Sequence, residues 1–314
     1  MALLAYMSKP ERGFIPPMPK STRIAAIEAG GTKFMVGVGH PESITANCTR
    51  IATLSPEETL PQLLDYLRAE HKKEAFSAIG VGSFGPLGVD PSRSNFGVIG
   101  PTTKPRWSQV SYPAVLSEFE VPLAITTDVN AAAMAEASLG AARDCGRVIY
   151  VTIGTGIGGG IVINGQVNQG TFHPEIGHMR IMVNPEDPMP EGVCAFHGNC
   201  LEGLASGPAI EKRWQANLSS LGETHLSINL QANYLAQMCM NLLLTMTPDV
   251  IILGGGVMEA PSLLAKVRQE LQTLMQQYLP QFTSEAAIQT LIRAPEHRPY
   301  SGLIGAALLA QGIR

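Results

Sequence analysis

The sequence predicts an α/β fold built from two similar halves that face a shared cleft, and two observations carry that expectation. The first is a unit that occurs twice. Residues 23–28 form an apolar strand-like run, followed by Ala29, Gly30, Gly31, Thr32 and Lys33 and then the apolar residues 34–38. The same order returns at 148–153, through the glycine-rich stretch 154–160, to Ile161, Val162 and Ile163, with Asn164 and Gly165 turning the chain again. The second observation is that strand-like and helix-like runs alternate elsewhere, which is the pattern of layered α/β domains.

Taken in order, residues 1–22 carry Pro10, Pro16, Pro17 and Pro19 with little apolar periodicity and are expected to be a flexible leader outside the fold. After the first repeat the pattern predicts an amphipathic helix over 59–73 and a strand over 78–82. A second strand over 123–127 then feeds an alanine-rich helix over 130–142. Beyond the second repeat, residues 184–198 contain Pro185, Pro188 and Pro190 and read as an irregular loop, long for a structureless segment unless a metal pins it. Helices are expected over 207–217 and 230–246, then a strand over 250–253, the turn Gly254, Gly255 and Gly256, a helix over 261–278 and a terminal helix over 302–309. The expected domains are 23–127, completed by the C-terminal helix 301–314, and 128–300.

Composition removes several classes of function. With 314 residues, 45% hydrophobic and 15% charged, the chain has material for two globular domains. A formal net charge of -4 and a pI near 6.0 provide no sequence-wide cationic field, so no nucleic-acid partner is expected. Pro248 and Asp249 interrupt one apolar run and Gln311 ends another, leaving no stretch near the roughly 18 to 20 residues of a membrane span. The apolar residues 1–6 lack a basic flank, which argues against a secretory signal and makes the cytoplasm the expected location. In a reducing compartment the close pair among the five cysteines reads as metal-binding rather than as a disulfide.

Glycine turns let backbone N–H groups approach phosphate oxygens. The turn at Gly30, Gly31, Thr32 and Lys33 adds a hydroxyl and a cation, and Glu28 upstream is suited to hold a water on Mg²⁺. The plainer alternative is a hairpin tip. Gly154-x-Gly156-x-x-Gly159 matches the dinucleotide fingerprint formally, but that motif opens a helix and here β-branched residues follow. The Gly-Lys-Ser/Thr ending of a P-loop is also missing. Two such hairpins plus a late strand and three glycines before a helix resemble the actin-like ATPases, of ribonuclease H-like fold, in which ATP lies between two domains.

Cys194-x-x-His197-x-x-Cys200 places two thiols and an imidazole in one loop, with His178 upstream as a fourth ligand for a closed, structural zinc site. The alternative is a chance grouping of buried thiols and a surface histidine. The segment from His173 to His178 is not a zinc-peptidase helix: Pro174 adds a residue between His173 and Glu175, and Pro174 with Gly177 opposes a helix.

Together, Glu28 to Lys33, Thr127-Asp128-Val129-Asn130, the stretch 154–160, His173 to His178 and the run from Cys200 to Pro208 resemble the ROK family (repressors, open reading frames and kinases) from Arg23 onward. The Cys-x-x-His-x-x-Cys loop resembles the family's zinc-containing bacterial fructokinase branch rather than its glucokinases, as does Glu28 in place of aspartate. Thr102, Thr103, Lys104, Pro105 and Trp107 are similar to a fructokinase segment, with Thr103 where proline is usual.

The resemblance implies ATP-dependent phosphorylation of a hexose, D-fructose to fructose 6-phosphate, with glucokinase, mannokinase and N-acetylmannosamine kinase as alternatives. It implies Asp128 as general base, where the local alternative is a helix N-cap, and Asn130, Glu175, His178 and Glu202 as sugar contacts. It also implies Gly30, Gly31, Thr32, Lys33, Thr155 and Gly156 at the ATP phosphates, and Pro208, Gly254, Gly255, Gly256, Val257 and Met258 at adenosine. Zinc would be held by His178, Cys194, His197 and Cys200, Mg²⁺ would travel with ATP, and the chain would form a homodimer. Repressor members carry a helix-turn-helix module that 22 proline-rich residues cannot supply, so an enzyme is expected over a sugar-sensing regulator.

Overall fold

A computed structural model describes residues 23–312 except 103, 169 and 171. The leader over 1–22 and the departure at Thr103 lie outside the described residues.

The first half begins with β1 (Ile24–Ala29) and β2 (Lys33–Gly39), the predicted hairpin, followed by β3 (Cys48–Ala52), which the sequence pattern did not announce. Helix α1 (Pro56–Lys73) starts earlier than the apolar period suggests, because Ser55 and Glu58 form a capping box and Pro56 opens the first turn. Then come β4 (Ile79–Ser83), the short α2 (Tyr112–Val115), β5 (Leu123–Thr127) and α3 (Asp128–Ser138). The second half runs β6 (Arg147–Ile153), β7 (Ile157–Ile163), β8 (Gln166–Val167), α4 (Leu201–Ala205), α5 (Gly207–Trp214), α6 (Leu226–Met246) and β9 (Val250–Gly254). It closes with α7 (Leu263–Met275), α8 (Glu285–Leu291), β10 (Ile292–Arg293) and α9 (Ser301–Gly312). No described helix is long and apolar enough to cross a membrane.

Two five-stranded mixed sheets result, in the orders β3-β2-β1-β4-β5 and β10-β9-β6-β7-β8. Read from their hairpin ends the orders are the same: an antiparallel three-strand meander (β1–β3 or β6–β8) whose first strand pairs in parallel with β4 or β9, and that in turn with β5 or β10. The repeat read in the sequence is therefore a repeat of topology, in the arrangement of the actin-like ATPases.

Helices α3 and α9 lie between the sheets. Leu303 and Ala307 of α9 pack with Ile24, Ala26 and Met35 of the first sheet, and Ala132 and Ala133 of α3 pack with Val148, Tyr150 and Val162 of the second. The two helices also touch. A Cβ on Gly305 would run into the backbone carbonyl of Ala131, so the crossing is closed by the absence of a side chain. The outer face of the first sheet carries Leu63 and Leu67 of α1, and that of the second carries Leu235 and Leu242 of α6 and Leu271 of α7.

Two details correct the sequence reading. The glycine-rich stretch 154–160 is not all turn, since Gly158, Gly159 and Gly160 lie inside β7. Side chains are missing there because α3 and the 176–178 turn press on the strand: a Cβ on Gly160 would strike the Val129 carbonyl, and one on Gly159 would strike Ile176. The 184–198 loop is irregular as expected, and it has a tether that needs no metal. Arg213 of α5 donates to both oxygens of Asp187 at 2.7 and 3.0 Å, Tyr234 of α6 donates to the same carboxylate at 2.6 Å, and the Arg213 and Asp187 side chains are 1% and 0% exposed.

Candidate functional site

A cleft of about 940 Å³ opens between the two sheets. The ends of the β1–β2 and β6–β7 hairpins reach it from opposite sides, contributing Gly30, Thr32 and Lys33 from one and Gly154 and Thr155 from the other. A further wall comes from Pro208 at the start of α5 and from Gly255, Gly256 and Val257 after β9. Gly255 sits at φ 89°, in the region that favours glycine, and a Cβ there would press on the backbone of Ile153. Of the residues expected at the nucleotide, Gly31, Gly156, Gly254 and Met258 do not line the cleft. Gly31 lies under the Lys104 side chain, whose ammonium donates to its carbonyl, and Gly156 faces the Glu202 carboxylate. The Lys104 segment is seated by Trp107, buried against Phe34 and Phe84 and donating to the Leu54 carbonyl at 2.7 Å. That ties the segment to the first glycine turn.

Asp128 lines the cleft at the first turn of α3. The alternative that it serves as the helix cap is corrected: Thr127 is the cap, its hydroxyl accepting from the Asn130 N–H at 3.2 Å. Asp128 Oδ1 accepts from the adjacent Val129 N–H at 2.9 Å. Burial pushes its carboxyl up to about 6, against the pull of backbone N–H groups and of His173. Glu28, on β1, lines the same cleft. Burial and then the Asp128 charge raise it to about 7, with Lys33 and the Leu303 N–H opposing. Its Oε2 is buried without a partner, an oxygen free to accept from a water on a cation.

None of the expected sugar contacts, Asn130, Glu175, His178 and Glu202, lines the cleft with Asp128. Glu175 is exposed and stands 3.4 Å from the Nδ1 of His173, whose side chain is 12% exposed. Glu202 reaches under the second glycine turn, where its Oε2 accepts from the Ile157 N–H at 2.9 Å. Asn130 is fully buried, donates to Thr126 Oγ1 at 3.1 Å and leaves its Oδ1 unpartnered. His173, given no role by the sequence, joins the Glu175 segment to the carbonyl end of β4 near Gly85. Its motif was visible, but only the fold shows what it faces.

The four expected zinc ligands do converge. Their donor atoms all lie within 4.8 Å of one another. His178 Nδ1 is 3.8 Å from Cys194 Sγ, 3.5 Å from Cys200 Sγ and 3.3 Å from His197 Nδ1. Tetrahedral zinc with ordinary bond lengths calls for nitrogen–nitrogen and nitrogen–sulfur edges of roughly 3.3 to 3.6 Å; the 3.3 and 3.5 Å separations match, the others are longer, and two thiols with two imidazoles are the donor chemistry such an ion takes. Local chemistry brings the donors together: a backbone pair between Cys194 and Gly198 folds the loop tightly, while Cys200 is buried at the start of α4.

Two repeated glycine-tipped hairpins gripping a cleft, with the Glu28 and Asp128 carboxylates between them, define a nucleotide-binding protein of the actin-like class. The ROK family model matches residues 24–313. The chain is 37% identical over 288 residues to a putative fructokinase of Bacillus subtilis (strain 168), covering 91% of this chain and 95% of that protein. It is also 37% identical over 289 residues to a fructokinase of Pediococcus pentosaceus, covering 92% and 97%. Among solved structures, the ROK hexokinase from Thermus thermophilus superposes with a TM-score of 0.73 at 28% identity, over 92% of this chain and 98% of that one. The chain belongs to the ROK family.

Proposed function

We propose that this protein transfers the terminal phosphoryl group of ATP to a hexose, with D-fructose as acceptor and fructose 6-phosphate and ADP as products. The observation that carries the reading is the placement of Asp128 in the cleft between both glycine-tipped hairpins, in a chain aligned almost end to end with proteins named fructokinases.

In this reading ATP lies along the cleft. Backbone N–H groups of the turns at Gly30 and Gly154, the Thr155 hydroxyl and the Lys33 ammonium hold its phosphates, and Pro208 with Gly255, Gly256 and Val257 flank adenosine. The sugar enters from the Glu175 and Glu202 side, where carboxylates accept from its hydroxyls and fix the reacting oxygen. As the new oxygen–phosphorus bond forms and the bond to ADP breaks, Asp128 accepts the hydroxyl proton. With its carboxyl raised to about 6 it is a better acceptor than an ordinary aspartate, yet remains ionised at neutral pH. Mg²⁺ arriving with ATP would supply charge neutralisation on the phosphates, with Glu28 holding it through water. Zinc on His178, Cys194, His197 and Cys200 would be structural, fixing the turn that presents Glu175.

The reading carries with it two units, 23–127 with the C-terminal helix 301–314, and 128–300, and a homodimer in the cytoplasm. The deciding experiment is ADP release by the purified protein with fructose, mannose, glucose and N-acetylmannosamine. Fructose is expected to give the highest kcat/KM. Fructose among the poorest substrates would overturn the acceptor, and no ADP release with any of the four would overturn the kinase.

A further inference from the structure

A nucleoside triphosphate is a polyanion, and the cleft offers it few cations. Among the described charged residues that line it, Lys33 and Arg298 are cationic while Glu28, Asp128, Glu211 and Glu259 are acidic. Lys33 belongs to the first glycine turn. Arg298 belongs to no motif and has no part in the site as derived above.

The backbone that presents Arg298 is held on both sides. Glu136 of α3, with no exposure, accepts the N–H groups of Glu296 and His297, each at 3.0 Å, and the hydroxyl of Ser301 at 2.8 Å. The Tyr300 N–H closes the turn on the His297 carbonyl at 2.6 Å. One buried carboxylate thus fixes the approach from β10 to α9, and Arg298 lines the cleft together with Ser301 and Gly302 at the start of α9, where Gly302 lies against the Glu28 carboxylate. The Arg298 guanidinium donates to Glu259 Oε1 at 2.6 Å. The two side chains are 38% and 63% exposed, so water screens the pair and little free energy is lost when it opens. A guanidinium with spare N–H donors, tethered weakly by a carboxylate that also faces the cleft, is matched to phosphate oxygens, which it binds through two parallel hydrogen bonds.

We propose that Arg298 is a nucleotide-binding residue that grips phosphate oxygens of ATP, and that Glu259 parks its guanidinium at the cleft wall until the nucleotide competes for it. The proposal rests on the ATP-dependent reading given above. It separates the two residues by sign. Loss of Arg298 removes an attraction, whereas loss of Glu259 removes a competitor and a repelling charge. If the ion pair only braces the loop, the two losses act alike.

The test is calorimetric titration of the full-length protein with Mg·ADP, together with KM for ATP and for fructose, on wild type, Arg298→Gln, Arg298→Lys and Glu259→Gln. Arg298→Gln is expected to weaken ADP binding and raise KM for ATP about tenfold or more, with KM for fructose within about twofold of wild type. Arg298→Lys should recover part of the loss, and Glu259→Gln should bind ADP at least as tightly as wild type. Equal weakening by Arg298→Gln and Glu259→Gln, or an Arg298→Gln protein that binds ADP like wild type, overturns the proposal and leaves the kinase reading standing. A wild-type protein that binds no nucleotide overturns both.

Discussion

At the scale of single residues, Asp128 shows how position alters an ordinary side chain, since burial raises its carboxyl to about 6. Thr127 takes over the capping of α3, and Asp128 Oδ1 accepts from the neighbouring Val129 N–H. Replacing it by asparagine is expected to keep ATP and sugar binding while lowering kcat by about a hundredfold or more, because the site keeps its shape and loses its proton acceptor. The pH profile carries a sign. With Glu28 raised to about 7 and Asp128 to about 6, kcat/KM for the sugar at saturating Mg·ATP should be level above about pH 7 and fall as the pH drops through about 7 and then 6. A limb near the ordinary aspartate range would contradict the role. Stability should run the other way. An acid whose folded value lies above its unfolded one loses folded-state stability as pH rises between the two, so Asp128→Asn is expected to melt higher than wild type at pH 8. Higher melting with lost turnover would separate a chemical role from misfolding.

At the scale of elements, the 184–198 loop has one tether in the Asp187 network and would gain a second if zinc fills the His178, Cys194, His197 and Cys200 cluster. A stoichiometric chelator in excess, or a purification that strips metal, is expected to slow turnover by loosening the Glu175 segment. Elemental analysis of protein prepared without chelator should return about one zinc per chain for the closed four-ligand shell. Absence of zinc from such protein would remove the idea. The Asp187 tether has no metal in it. Asp187→Asn leaves the Arg213 guanidinium buried without its counter-charge, and is expected to destabilise the fold by about 3 to 5 kcal/mol in denaturant titration. The contact between α3 and α9 is equally specific. Gly305→Ala puts a methyl group into the Ala131 carbonyl and should cost at least about 1 to 3 kcal/mol by the same measurement, since both backbones must move apart.

For the molecule as a whole, one topology used twice puts two equivalent hairpins on opposite sides of a single groove. The chain returns from the second sheet to lay α9 on the first, so the crossing helices α3 and α9 form the floor across which any change of the groove must act. A ligand that binds this groove only when folded must stabilise the protein, by about 2.7 kcal/mol at a hundred times its dissociation constant. Mg·ADP is therefore expected to raise the thermal midpoint in a concentration-dependent way, and an unchanged midpoint at millimolar nucleotide would argue against the groove as its site.

The sequence by itself determined what short stretches of chain can encode. The doubled hairpin, the alternation of strand and helix and the clustering of Cys194, His197 and Cys200 in one loop are set by local stereochemistry and spacing, whereas the helix read over 130–142 begins two residues earlier, at Asp128. Strands β8 and β10 escaped because two residues carry too little period to separate from a loop, and β3 because Thr49 and Arg50 break its apolar run. Tertiary structure alone decided which side chains meet. It brought Glu28 and Asp128, a hundred positions apart, into mutual repulsion, took Asn130 into the interior, and carried Arg298 to the groove through the Glu136 anchor. Burial and charge at a point are sums over neighbours distant in sequence, and those sums exist only once the chain has folded.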